Sequence, residues 1–167
     1  MEGLFVTSCS RPRRTQRMSH TPRNPSYESA VRASFARQTL MTTMEVRIAR
    51  IAPGEVDLEM AHSPAFCQQN GHLHAGATAS LADTANGYAA YTLAPAGTDV
   101  LAVEFKINLL APARGARYIA RGRVIRPGRT LTACLADVFA VTGEQEVLIA
   151  TMLSTIIVRG SEEARQP

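Results

Sequence analysis

The sequence predicts an α+β domain in which one antiparallel sheet curls around a single central helix. Three observations carry that expectation. Residues 72–97, "HLHAGATASLADTANGYAAYTLAPAG", make a helix-length run of small side chains with one carboxylate, Asp83, and no Lys or Arg. Four β-like runs follow it with no further helix between them. Short turns at 113–115, 127–128 and 143–144 separate those runs, and short turns demand antiparallel neighbours. An enclosed helix beside antiparallel strands is the layer arrangement that buries both.

The elements follow in order. Residues 1–26 hold five arginines, several prolines and almost nothing to bury, so they are expected as a disordered basic arm. Its readings stay open: a solvated tail, a true start at Met18, or an organelle-targeting or phosphate-binding segment. The domain itself is expected over 27–160, with a disordered tail at 161–167. Residues 26–43 place Tyr27, Val31, Phe35 and Leu40 at roughly helical spacing, with Ser26 as N-cap. Residues 44–62 alternate Met44, Val46 and Ile48, then Val56, Leu58 and Met60, around Pro53-Gly54, which reads as two strands and a turn. Residues 63–71 are a loop by composition. The helix after them, roughly 20 residues, stops at Pro95 and Gly97 and shows no polar stripe, so it must be enclosed on most sides. Strands are expected at 100–113, 116–128, 129–143 and 146–160.

Length and charge narrow the function. The chain has 167 residues, enough for one domain with a real core. Its net charge of +4 belongs to the arm, because residues 27–167 carry thirteen basic and thirteen acidic groups. A neutral domain gives no support to nucleic-acid binding. Three cysteines without a CxxC spacing form neither a disulfide framework nor a zinc site and suit a reducing, cytoplasmic compartment. The small-residue run contains Asp83 and too many Gly, Ser, Thr and Asn to span a membrane.

Asp83 is then the residue to explain. An ionised carboxylate in an enclosed helix is costly unless it is paired or its pKa moves, and no Lys or Arg lies within a helical turn or two of it. Such a group is a natural general base or nucleophile; the alternative is that it faces solvent or caps something across the fold. At the start of the same helix, His74-Ala75-Gly76 can bring free backbone N–H groups to a ligand carbonyl and hold an oxyanion, unless Gly76 serves only close packing. From His74 to Asp83 is nine residues, half a turn once whole turns are removed and roughly 13 Å of rise. One chain cannot bring both to one carbonyl. If the two act together, a two-fold axis must pair antiparallel helices and set two sites at a dimer interface.

"QQNGHLHAGATASLADTA" together with "VEFKINLLAPARG" resembles the hotdog-fold acyl-CoA thioesterases, specifically the phenylacetate-degradation (PaaI-like) branch, from about residue 44 to 158. The resemblance implies a five- or six-stranded antiparallel sheet wrapped around a long helix. It also implies an acyl-CoA substrate, with no metal and no cofactor beyond the coenzyme A that is part of that substrate. It casts Asp83 as general base or nucleophile, Gln68 as the side chain that orients water or thioester, His74 as a partner for the departing thiol, and the N–H of Ala75 as oxyanion donor. Ala75 stands where most relatives have Gly. Ala102 stands where some have Ser or Thr, so that Asp83 must manage alone or Asn70 or Thr84 substitutes. Gly76, Leu110 and Pro112 fall where relatives contact substrate. Arg126, Gly128 and Arg129 fall where relatives meet coenzyme A phosphates, and a solvated hairpin is the competing reading for the arginines. A homo-oligomer is implied, at least a dimer and expected as a tetramer. The rival readings are a non-catalytic acyl-CoA-binding hotdog protein, a hotdog hydratase or dehydratase, and a structural protein in which Asp83 only caps a network.

Overall fold

The helix can lie against the sheet because its side chains, and those beneath it, are small. The computed structural model describes residues 20–160, and within them the central helix, α3, runs Ala75–Tyr91. Leu81, Ala82, Ala85 and Tyr88 of α3 are buried against Leu58, Met60, Tyr118, Ala120, Val138 and Met152 of the sheet. At Gly122 the approach is backbone to backbone. A Cβ there would lie 2.4 Å from the Ala85 carbonyl oxygen, so only glycine lets the helix sit this close.

Before α3 come α1 (Tyr27–Phe35), α2 (Thr39–Thr43), β1 (Arg47–Ala52), β2 (Glu55–Ala61) and a short 3-10 turn (Pro64–Phe66). After it come β3 (Thr98–Leu109), β4 (Arg117–Arg126), β5 (Leu131–Thr142) and β6 (Gln145–Gly160). All six strands form one antiparallel sheet in the order β1-β2-β4-β5-β6-β3. This is the sheet-around-a-helix fold read from the sequence.

Four details differ from the sequence expectation. The single helix expected over 26–43 is two, broken at Ala36–Gln38, and Ser26 makes no side-chain cap bond. The central helix is 17 residues long and starts at Ala75. β3 and β4 are not neighbours, although the turn between them suggested it. Residues 110–116 cross the N-terminal end of α3, fastened by Leu110 N–H to the Ile149 carbonyl (2.8 Å) and Leu73 N–H to the Ala113 carbonyl (3.1 Å). β3 is thereby delivered to the sheet edge beside β6. Finally, part of the expected arm has a defined place, since His20 lies against Gly54. The rest of the arm and the tail, residues 1–19 and 161–167, lie outside the described residues.

β3 is a long edge strand with apolar side chains uncovered on it: Val103 is 58%, Phe105 49% and Leu109 57% exposed. A free edge of this kind is a template for pairing with another strand. The outer face of β4 is charged instead, with Arg123–Asp137 at 2.8 Å reaching β5 and Arg121–Glu146 at 2.7 Å reaching β6.

Candidate active site

Asp83 sits midway along α3, half-buried, and its Oδ1 is fully buried without a hydrogen-bond partner among the described residues. No salt bridge from the described residues reaches it. Burial pushes its carboxyl above the ordinary aspartate range. It opens into a cavity of about 330 Å³ between α3, β3 and the α1–α2 link. The helix does carry a polar stripe after all. Ser80, Asp83, Thr84, Gly87 and Tyr91 recur at helical spacing and all line this cavity, while the opposite side packs on the sheet. The sequence expectation of a helix without such a stripe is corrected by it, because Ser80, Thr84 and Gly87 are close to alanine in size and leave Asp83 to stand out alone.

A second cavity, about 320 Å³, lies at the N-terminal tip of α3 and is lined by Gln68, His72, Ala75, Pro112 and Ala113 among others. His74 is the helix N-cap: its Nδ1 accepts the Gly76 N–H at 2.9 Å. Accepting there places the ring proton on Nε2, facing outward as a donor. The cap also engages one of the two N–H groups expected to face a ligand, so Gly76 does not offer its own. The Ala75 N–H enters no hydrogen bond among the described residues and remains available at the tip. Gln68 is held within the loop before the helix. Its Oε1 accepts the Asn70 N–H, and its Nε2 lies 3.1 Å from His72 Nδ1, whose other ring nitrogen meets Arg114.

The two clusters do not meet within one chain. Ala75 and Asp83 are eight residues apart, about 12 Å along the helix, and they line different cavities. With Asp83 the structure groups Ala102 and Thr84; with Ala75 it groups Gln68 and Pro112, with Leu110 exposed close by. Asn70 stays in the Gln68 loop. Arg126, Gly128 and Arg129 line neither cavity. Arg126 ends β4 and Gly128 and Arg129 form the turn to β5, toward the C-terminal end of α3, where Ala90 and Leu93 pack on Val124. Gly128 has a local reason to be glycine, since a Cβ there would lie 2.0 Å from the Leu131 carbonyl oxygen.

Residues 70–147 match the family model described as Thioesterase superfamily. A thioesterase family protein from Silicibacter pomeroyi is 44% identical, with 81% of this chain and 99% of that one aligned at a TM-score of 0.79. The chain belongs to the thioesterase superfamily. The fold of this thioesterase also resembles the Escherichia coli PaaI protein of the phenylacetic acid degradation operon, at 18% identity, TM-score 0.73, and 81% and 94% of the two chains. A Staphylococcus aureus thioesterase, crystallised as a glutamate-to-alanine variant, aligns at 25% identity and TM-score 0.66 over 72% and 98%. None of the curated proteins matches.

Sequence reasoning singled out residues of both clusters but missed the far wall of the Asp83 cavity. Gln38, Tyr88, Tyr91 and Asp99 line it. Asp83, Gly87 and Tyr91 could have been found from their spacing of four. Gln38 and Asp99 come from distant elements and carried no signal. No helix among the described residues is long and apolar enough to cross a membrane.

Proposed function

We propose that this thioesterase hydrolyses acyl-CoA thioesters at two composite sites of a symmetric dimer. The observation that carries the reading is the buried, unpartnered carboxylate of Asp83, held on the same helix as a free N–H at Ala75 but out of its reach. Antiparallel pairing of two β3 edges would cover Val103, Phe105 and Leu109. It would also lay the tip of one helix beside the middle of the other.

In this reading the thioester carbonyl rests against the Ala75 N–H of one protomer, which stabilises the oxyanion formed on attack. Asp83 of the other protomer takes a proton from water as the water oxygen bonds to the carbonyl carbon, or attacks that carbon itself to give a mixed anhydride that water then opens. The C–S bond breaks, and His74 Nε2–H is placed to hydrogen-bond the departing thiolate of coenzyme A. Gln68 orients the thioester or the water. Leu110 and Pro112 flank the pantetheine arm, and Arg126 and Arg129 at the β4–β5 turn bind coenzyme A phosphates by charge. Two crystallised variants of the Staphylococcus thioesterase replace a glutamine and a glutamate fifteen residues apart, the spacing of Gln68 and Asp83 here. The two described cysteines, Cys67 and Cys134, are free thiols, which suits the cytoplasm. Exposed Leu131 and Leu153 on the outer sheet face favour a further association of dimers into a tetramer.

Free-thiol release from a panel of aryl, short and medium acyl-CoAs tests the reading. The wild-type protein should turn over at least one of them. Asp83→Asn should cut kcat/KM by roughly 10²- to 10⁴-fold, the usual worth of a positioned general base, while the circular dichroism spectrum stays unchanged. Unaltered turnover in that variant removes Asp83 from the chemistry.

A further inference from the structure

The cavity beside Asp83 continues past the carboxylate, over Gly87 to Tyr91, which is eight residues and about 12 Å farther along α3. Gly87 is a poorer helix former than the alanines around it. Nothing packs against it in compensation, because a Cβ there would meet no heavy atom within 4 Å. The space above Gly87 is the cavity itself, in contrast to Gly122, where the backbone of α3 fills the place of a side chain.

The far end is bordered by the α1–α2 link. Gln38 Nε2 donates to the Tyr88 hydroxyl at 3.2 Å, and Ser34 Oγ lies 3.2 Å from the same oxygen, which fixes that wall. Beside it the Tyr91 hydroxyl and the Asp99 carboxylate both line the cavity, and neither is hydrogen-bonded among the described residues. Burial, with the Asp99 charge, pushes the Tyr91 phenol up, so it stays a donor. At about 330 Å³ the space is at the small end for ligand pockets.

Resting on the acyl-CoA reading above, we propose that this cavity holds the acyl group, that Gly87 sets how bulky it can be, and that Tyr91 and Asp99 select a compact group ending in a hydroxyl. Such a hydroxyl donates to Asp99 and accepts from Tyr91. A methyl end leaves both unpaired. A carboxylate end meets the charge of Asp99, offset in part by the exposed Arg37, whose charge acts on Tyr91.

The test compares acetyl-, hexanoyl-, 6-hydroxyhexanoyl- and adipoyl-CoA in the full-length protein. In the wild type, kcat/KM for the hydroxyhexanoyl thioester should exceed that for hexanoyl by about tenfold, the worth of one hydrogen bond to a charged group. Asp99→Asn and Tyr91→Phe should each bring that ratio toward one. Gly87→Leu should lower the hexanoyl-to-acetyl ratio by about tenfold or more, and Gly87→Ala, which favours the helix, should lower it less. Calorimetric binding of the same thioesters to Asp83→Asn protein reads the cavity without turnover. If no thioester is hydrolysed yet the binding order holds, the hydrolase reading fails and the cavity assignment stands. Preference for hexanoyl or adipoyl in both assays, or a chain-length profile unchanged in both Gly87 variants, overturns the assignment.

Discussion

The two ends of reactive chemistry on α3 make a pair of opposites. At the tip, the groups are donors: the Ala75 N–H and His74 Nε2–H, set by the cap that His74 Nδ1 makes with Gly76. At the middle, the group is an acceptor without a donor, the buried Oδ1 of Asp83. The tip is exposed and its side chains are tied into a loop network, whereas the middle is half-buried and its carboxylate oxygen has no partner among the described residues. Each has what the other lacks, and about 12 Å of helix keeps them apart. Complementary halves on one rigid element are what a two-fold assembly can combine.

The largest effect that would sharpen this contrast comes from Ala75→Pro. Ala75 is the first helical residue, where proline is well tolerated, and His74 already has the extended backbone that precedes proline comfortably (φ −62°, ψ 142°). The substitution therefore deletes one N–H and little else. Loss of an oxyanion donor should lower kcat by roughly 10²- to 10³-fold. Mixing Ala75→Pro with Asp83→Asn protein under conditions of subunit exchange should then restore about a quarter of wild-type activity, because half the dimers are mixed and each mixed dimer has one intact site. No recovery, in protein shown to exchange, breaks the comparison.

A smaller effect concerns pH. Burial raises the Asp83 pKa, so between the unfolded and the native values the native state binds more protons. Stability therefore falls as pH rises through that window, and the base form appears only above it. The acid limb of kcat/KM should lie above the ordinary aspartate range. Asp83→Asn should raise the melting temperature on the high-pH side of the window and leave it unchanged below. The smallest effect separates the two roles of His74. His74→Ala loses the cap, about 1 kcal/mol or roughly 2–4 °C in Tm. His74→Asn keeps a capping oxygen and loses only Nε2–H, so a rate loss without a Tm loss in that variant assigns the imidazole to the leaving thiol.

How much of this was legible in the sequence follows the range of each interaction. The fold class and Asp83 were legible because a lone carboxylate in a run of alanines is a local contrast. The strand order was not, because residues 113–115 read as a turn joining neighbouring strands until the bonds of Leu110 to Ile149 and Ala113 to Leu73 show the segment crossing the helix tip. The break between α1 and α2 was hidden for a similar reason, since apolar spacing continues through Ala36–Gln38. The role of Gly76 stayed open between meeting a ligand and close packing, because the cap on its N–H depends on the rotamer of His74. Gln38 and Asp99 reach the Asp83 cavity only through tertiary packing, and no spacing rule connects them to residue 83.

The contact between Gly122 and the Ala85 carbonyl has a consequence for precision. With no side chain interposed, the helix has no slack through which to slide or roll over the strands. The plainest residues of the chain thus act as a jig, fixing the height at which a carboxylate two positions earlier on the helix meets whatever enters the space above it.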